Sequence, residues 1–568
     1  MFNDKLAEIF SEMSDMQEIE GNRWESLAYR KVAANLEGLG EDIREIYKRN
    51  ELRKIDGVGA AIEKKIQQYI REGKIDAYDR LKQKYPIDFR SLRKIQGLGP
   101  KKIAALFVSL RVTDIESLKA AIREHKIAAL PGFGEKTEAN LLKAIDVFSS
   151  VGTSRILLGR AYPDIEAMRA YLETTGLFDN VIVAGSTRRM RESIGDVDIL
   201  VTSTRRKEAP DAFIKSEFVS STVVSGESKI TVNLKLGITC DLRFIDADSI
   251  GAALQYFTGS KDHNVHLRDL AISKGLKLNE YGLFRGDSKI AGKDEQGIYG
   301  SLGLSFIEPE LRENTGEIEA AMKHDLPKIV NFKEIRSDLH MHTLDSDGKN
   351  TLEEMLLQSK KNGLEYVAMT NHSSSLKVAH GLDSQRFMEL NAGIEEISSR
   401  LSFPVLKGVE LEILRDGSLD LPVNSLEEMD YVLAALHQYV SPDRKENTDR
   451  IVKAIESGYI DALAHPTGRL IGSREPYNID LDRVLDKCVE NHVFLEINGF
   501  PERSDLPADI VRRVRGSGVK FALGSDAHSL SDLKFIRFAT AIARRGWLSP
   551  DTIVNTLSLG NLKKLMAR

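Results

Sequence analysis

Val181-Ile-Val-Ala184-Gly185-Ser186-Thr187-Arg188-Arg189 leads within a few residues into Gly195-Asp196-Val197-Asp198-Ile-Leu-Val201. The first run spells a short apolar strand that breaks at a glycine. The second spells a buried strand that begins on two carboxylates. Side chains at i and i+2 of a strand share a face, so Asp196 and Asp198 converge while Val197 packs behind them. Farther on, Ile238-Thr-Cys-Asp241-Leu-Arg-Phe-Ile245 leaves a third carboxylate among apolar neighbours. Carboxylates on buried strands are costly unless cations or hydrogen-bond donors meet them. Three of them can bridge two Mg²⁺ or Mn²⁺ ions roughly 3.5–4 Å apart, an arrangement that activates a hydroxyl and clamps a triphosphate.

Upstream of this stretch the chain has helical spacing, with Leu6, Ile9, Phe10 and Met13 marking one helix and Leu27, Val32 and Leu36 another. Within residues 1–150 one pattern recurs three times: Gly57-Val-Gly59, Gly97-Leu-Gly99 and Gly132-Phe-Gly134. Each follows an apolar run and opens a new helix with lysine near its start, Lys65 in the first copy and Lys101 and Lys102 in the second. Glycines let the backbone approach a ligand closely, and a helix start offers free N–H groups and a positive dipole end. Such a hairpin grips a phosphate backbone without reading sequence. The three copies resemble helix-hairpin-helix motifs. Between Ile43 and Lys102 there are 17 Lys and Arg against 8 Asp and Glu, although the whole chain carries a net charge of −5. A local excess of that size is the footprint of a polyanion partner, though solvated helix faces carry similar charge.

Downstream, imidazoles and carboxylates recur in short motifs: Asp338-Leu-His340-Met-His342, Asp347, Asn371-His372, Glu410, Leu436-His437, Ala464-His465-Pro466 and Asp526-Ala-His528. Each lies at or just past the end of a short apolar strand, such as 366–370, 405–410, 431–436, 462–465, 493–497 or 520–524. A β/α barrel gathers its site at those ends. Neutral imidazole with carboxylate and no thiolate suits Mn²⁺ or Zn²⁺.

The bulk properties fit a multidomain enzyme. A chain of 568 residues exceeds what one core supports. No stretch approaches 18 consecutive apolar residues, and the start lacks the order of a secretory signal. Only Cys240 and Cys488 occur, far apart, so no disulfide framework or cysteine zinc site is expected and a reducing, cytoplasmic home is.

Gly185-Ser186, Arg189, Gly195-Asp196-Val-Asp198, Asp241 and Tyr256-Phe257-Thr-Gly259-Ser260 through Asn264 and Arg268 resemble the palm and thumb of family-X DNA polymerases, the DNA polymerase beta group. The resemblance implies that Asp196 and Asp198 hold both metals and that Asp241 completes one site and accepts the primer proton. It places Gly185, Ser186, Arg188, Arg189 and Gly195 around the nucleotide phosphates. Tyr256, Phe257 and Gly259 would line the sugar, and Asn264 and Arg268 would touch the base and the template minor groove. Lys65 stands where that group keeps a Schiff-base lysine, whereas Glu25 and Ala61 replace its phosphate-binding lysines. The histidine motifs resemble the polymerase-and-histidinol-phosphatase (PHP) phosphoesterase domain. By that resemblance His340, His342, Glu410 and Asp526 hold one ion, and Glu410 bridges to a second held by His437 and His465. Asp347, His372 and His528 hold a third, and Arg469 grips a phosphate.

The fold expected is an all-α helix-hairpin-helix N-terminal region, an α+β nucleotidyltransferase palm with thumb, and a distorted seven-stranded β/α PHP barrel. Its expected divisions are a helical domain over 1–85, fingers over 86–150, palm over 151–247, thumb over 248–315, a linker over 316–334 and the barrel over 335–568. The combination resembles bacterial and archaeal family-X polymerases, which implies gap filling in DNA repair joined to 3′-5′ exonuclease or other 3′-end processing, abasic-site cleavage included. Gapped or nicked duplex DNA and dNTPs are the expected partners of a monomer, with no membrane. A small-molecule phosphoesterase with a vestigial front half would not need three intact aspartates, and a non-catalytic gap-binding scaffold would need neither ligand set.

Overall fold

The computed structural model describes residues 2–37, 43–55, 57–92, 98–134, 137–138, 141 and 155–566. They fall into two compact units, residues 1–154 with 233–239, and residues 155–232 with 240–568.

The first unit is helical among its described residues. Helices Phe2–Ile19 and Arg23–Glu37 pack on Ala60–Glu72 through Leu6, Phe10, Met13, Val32, Leu36 and Ile66. Leu27, expected on the buried face, is exposed. Helices Pro100–Leu110 and Ile115–Arg123 build a second cluster around Ile103, Leu106 and Leu118. The residue between the glycines anchors two hairpins: Val58 and Leu98 are buried, and the next helices begin right after Gly59 and Gly99. Gly57 and Gly132 take φ of +86° and +81°, a turn conformation that side chains resist. Gly97 lies outside the described residues.

In the second unit, the palm sheet comprises β1 (Asn180–Val183), β2 (Asp196–Thr202), β3 (Val219–Ser225), β4 (Lys229–Leu234) and β5 (Thr239–Phe244), in the order β1-β2-β5-β4-β3. Adjacency of β2 and β5 brings their acidic residues onto neighbouring strands. Helix Ile250–Thr258 and helix Lys261–Ser273 follow, with a small antiparallel sheet over 277–291. Residues 316–334, expected as a linker, include helix Glu317–Met322, whose Ile318 and Ala321 lie in the same apolar cluster as Leu267, Leu283 and Trp547.

The C-terminal region is a parallel barrel of β6 (Ser337–Asp338), β7 (Tyr366–Met369), β8 (Val405–Glu412), β9 (Tyr431–Ala435), β10 (Ala462–Leu463), β11 (Phe494–Asn498) and β12 (Phe521–Gly524), paired in sequence order. The circle closes where Leu339 N–H donates to Leu523 O at 3.2 Å and Met341 bridges Ala527. Strand residues alternate between two apolar clusters. Tyr366, Ala368, Tyr431 and Leu433 enter one, while Val367, Met369, Val432 and Ala434 enter the other. No described helix is long and apolar enough to cross a membrane.

Two candidate metal centres

In the palm, Gly185 ends β1 with φ +62°, and a Cβ there would meet Asp198 Oδ2 at 2.5 Å, so glycine permits the turn to sit against the carboxylate. Burial, then the nearby Asp196 and Asp241, push the Asp198 carboxyl up to about 7. Burial and Asp241 raise Asp196 likewise. Mutual repulsion of this kind is what divalent cations relieve. Asp241 is braced by Thr231 Oγ1 at 2.7 Å, Lys229 Nζ at 2.7 Å and Arg243 Nη2 at 2.9 Å. These three neighbours were not anticipated. Arg243 also stacks 4.4 Å over the Phe257 ring, tying the acidic strand to the Tyr256 and Phe257 pair.

The Ser186 hydroxyl is buried without a partner, which fits a phosphate acceptor at the turn. Arg189 bonds Thr258 O and, at 3.1 Å, Glu313. Arg188 is turned to Glu295 at 2.7 Å and Thr258 Oγ1 at 2.7 Å, so its charge is spent within the protein. Gly195 lies beside Arg155, and Gly259 against the Arg189 guanidinium. Tyr256 and Phe257 are half-buried with ring centroids 5.1 Å apart. Asn264 is aimed by Gln255 at 2.8 Å and bonds Tyr256 O at 2.6 Å, whereas Arg268 bonds within its own helix, at Asn264 O.

Among the hairpin residues, Lys102 Nζ lies 5.8 Å from the Phe133 ring. Lys65 Nζ lies 5.7 Å from the Tyr29 ring and 3.4 Å from Ala61 O. In the third hairpin region Glu138 receives the amides of Ile127 and Ala128 at 3.0 and 2.8 Å, a structural seal. The backbone of Lys101 starts helix Pro100–Leu110, and Gly134 closes the third turn.

The barrel gathers all nine expected ligands at the strand ends. Glu410 is their hub: its two oxygens lie 2.8–3.5 Å from His340, His342, His372, His437 and His465. Ligand-bearing atoms converge in three groups: His340, His342 and Asp526; His372, Glu410 and His437; and His342, Asp347, His372 and His528. The groups overlap the three expected ligand sets without reproducing them: His342 and His372 each enter two groups, the first lacks Glu410, and His465 stands outside all three with its Nε2 meeting Glu410 Oε1 at 2.8 Å. Burial would raise the Glu410 carboxyl, but His372, His340 and His437 hold it well below the usual range. Burial, then His528 and His372, push His342 down to about 3. Among the described residues, His342 Nδ1, His437 Nε2 and His465 Nδ1 are buried without a hydrogen bond, so the donor set fits divalent ions. The expected ligands His465 and Asp526 hold φ of +27° and +55°, backbone strain of the kind concentrated at functional sites.

Outer residues set the rings. Glu496 Oε1 takes His340 Nδ1 at 2.5 Å, Glu412 Oε2 takes His437 Nδ1 at 2.8 Å, and Asp526 O takes His528 Nδ1 at 2.8 Å. Such contacts fix the tautomer and aim Nε2 inward. Asn371 receives Thr343 N–H at 2.8 Å and the Ser346 hydroxyl at 2.7 Å. Glu496 was not anticipated. Arg469 donates to Arg503 O at 2.9 Å, to Ser504 O and to Glu192 Oε1 at 2.8 Å.

Family models match four segments: a helix-hairpin-helix domain over 1–75, a SAM-like helix-hairpin-helix tandem over 89–146, the DNA polymerase beta thumb over 253–313 and a PHP domain over 338–499. Part of the chain is similar to a probable phosphatase of Thermoanaerobacter sp. (strain X514), 31% identical over 40% of this chain and 93% of the relative. A probable phosphatase of Aliivibrio fischeri (strain ES114) is 29% identical over 41% and 93%. The DNA polymerase/3′-5′ exonuclease PolX of Bacillus subtilis (strain 168) is 32% identical over the whole of both chains. With that full-length match, this chain belongs to the PolX family, a polymerase-beta-like core followed by a PHP domain.

Proposed function

We propose that this chain fills short gaps in duplex DNA with its palm and hydrolyses 3′-terminal phosphodiesters in its barrel. The observation that carries the reading is that one compact unit holds both the Asp196, Asp198 and Asp241 cluster and the nine-ligand cluster around Glu410. The name of the Bacillus relative joins the same two activities. Mg²⁺ or Mn²⁺ in the palm and Mn²⁺ or Zn²⁺ in the barrel would neutralise phosphate charge and lower the proton affinity of the attacking oxygen.

The chain's own residues do the rest. Ser186 and Arg189 receive the nucleotide's outer phosphates, and Asp241 takes the proton of the primer hydroxyl. The Tyr256 and Phe257 pair stands against a 2′-hydroxyl, while Asn264 and Arg268 face the base and the template. The hairpins around Gly57, Gly99 and Gly132 hold DNA by its backbone, with Lys65 as a backbone contact. In the barrel Glu410 would help hold more than one ion, and Glu496 and Glu412 keep His340 and His437 aimed. The proposed setting is the cytoplasm, with gapped or nicked DNA and dNTPs as partners. A labelled primer on gapped DNA with Mn²⁺ tests this. Lengthening with dNTPs and shortening without them are expected.

A further inference from the structure

Arg503 belongs to none of the ligand motifs, yet the loop after β11 places it inside the barrel's centre. Its side chain is 18% exposed, and Nε donates to Asp526 Oδ2 at 3.0 Å. The other oxygen of that carboxylate lies 3.3 Å from His342 Nε2 and 3.5 Å from His340 Nε2. The arginine therefore stands behind a carboxylate whose front faces the imidazoles. Its Nη1 is sealed from solvent and has no hydrogen-bond partner among the described residues. A buried guanidinium N–H left unmade is unfavourable unless an acceptor visits it.

The loop holds this pose by other means. Arg469 bonds the carbonyls of Arg503 and Ser504, and Asp505 receives the amide of Thr467 at 3.0 Å. Ser504 takes φ of +43°, so the backbone is fixed in a conformation that side chains resist. Steadying Asp526 does not require the fork of an arginine, because Asn498 Nδ2 already bonds the same oxygen at 3.1 Å. A guanidinium carries a second, planar edge of donors that matches phosphate oxygens. Arg469, by contrast, spends Nε and Nη2 on Arg503 O, Ser504 O and Glu192.

We propose that Arg503, through its Nη edge, binds a non-bridging oxygen of the phosphate that the barrel hydrolyses, and so is a catalytic residue of that site. This rests on the reading of the barrel as a phosphoesterase. The test uses the full chain loaded with Mn²⁺ and measures, by calorimetry, its affinity for inorganic phosphate and for Mn²⁺. Primer extension by the same preparations reports an intact palm. Arg503→Gln should weaken phosphate binding about ten- to hundredfold, the loss expected for a hydrogen bond to a charged group, and slow the trimming of primer ends in parallel. Mn²⁺ affinity should stay within about threefold. If Arg503→Gln also loses Mn²⁺, Arg503→Lys, which keeps the charge beside Asp526, should restore the metal but not phosphate affinity. Wild-type phosphate affinity in the Gln variant at saturating Mn²⁺, full rescue of phosphate affinity by Lys, or no phosphate binding by the wild type would each overturn the assignment. A wild type that binds phosphate through Arg503 yet trims no DNA would instead sink the exonuclease reading alone.

Discussion

Arg469 Nη2, on the loop after β10 of the barrel, donates to Glu192 Oε1 at 2.8 Å, and Glu192 lies in the palm turn between Arg189 and Gly195. Arg545 adds a second tie, bonding Arg189 O at 3.2 Å and Glu313 at 3.1 Å. Glu313 is also the carboxylate that holds Arg189. The barrel thus braces the turn that is proposed to cradle nucleotide phosphates.

Loosening that brace should be felt in the palm. Glu192→Gln is expected to raise the KM for dNTP by about three- to tenfold, the loss of one partly buried charged contact. Steady-state primer extension against dNTP concentration reads it. An unchanged KM would make the tie mere glue between domains.

The Asp198 carboxyl, raised to about 7, sets a pH dependence. Between roughly pH 4 and pH 7 the folded, metal-free protein holds a proton that the unfolded chain has released. Stability from this group therefore falls as pH rises through that window. Asp198→Asn should stabilise the metal-free protein at pH 8, read as a higher melting temperature, and the gain in unfolding free energy should shrink by on the order of 2 kcal/mol by pH 5. For the active enzyme, the Mg²⁺ concentration for half-maximal extension should rise below pH 7, since protons and cations compete. Equal stabilisation at both pH values would contradict this.

Glu496 holds the inner tautomer of His340 through a 2.5 Å contact. Glu496→Gln is expected to weaken Mn²⁺ binding about 10–100-fold without altering primer extension. Calorimetry on the metal-free protein decides, and an unchanged Mn²⁺ affinity would remove Glu496 from the ligand-orienting role.

If the basic block from Ile43 to Lys102 neutralises phosphates, the logarithm of affinity for gapped DNA should fall linearly and steeply with the logarithm of salt concentration. A flat response would leave those lysines and arginines as solvated faces.

Much of this was legible in the residues. Six barrel strands, from Tyr366–Met369 to Phe521–Gly524, fall where the apolar runs placed them because a buried parallel strand needs a continuous run. The barrel's first strand, Ser337–Asp338, is too short to carry such a signal. β3 went unmarked because its Ser and Thr residues face solvent at the sheet edge and leave no hydrophobic alternation. Helix Glu317–Met322 hid in a charged stretch, since the burial of Glu317 depends on His263, 2.7 Å away, and on the amides of Asn314 and Thr315. Glu496 could have been found by the sign that marked Asp241, a lone carboxylate on an apolar strand. Arg503, 23 residues from Asp526, and the Arg469–Glu192 tie, 277 residues apart, could not, because loop side chains that meet outside any periodic element leave no local pattern.

The central claim is that making and breaking bonds to phosphorus occupy separate centres. The direct measurement is a labelled primer on gapped DNA with Mn²⁺, with and without dNTPs, for Asp241→Ala and Asp526→Ala. Asp241→Ala should lose extension by at least about 10³-fold while still shortening the primer, and Asp526→Ala should do the reverse. Loss of both activities in either variant, with the protein folded, would contradict two independent centres.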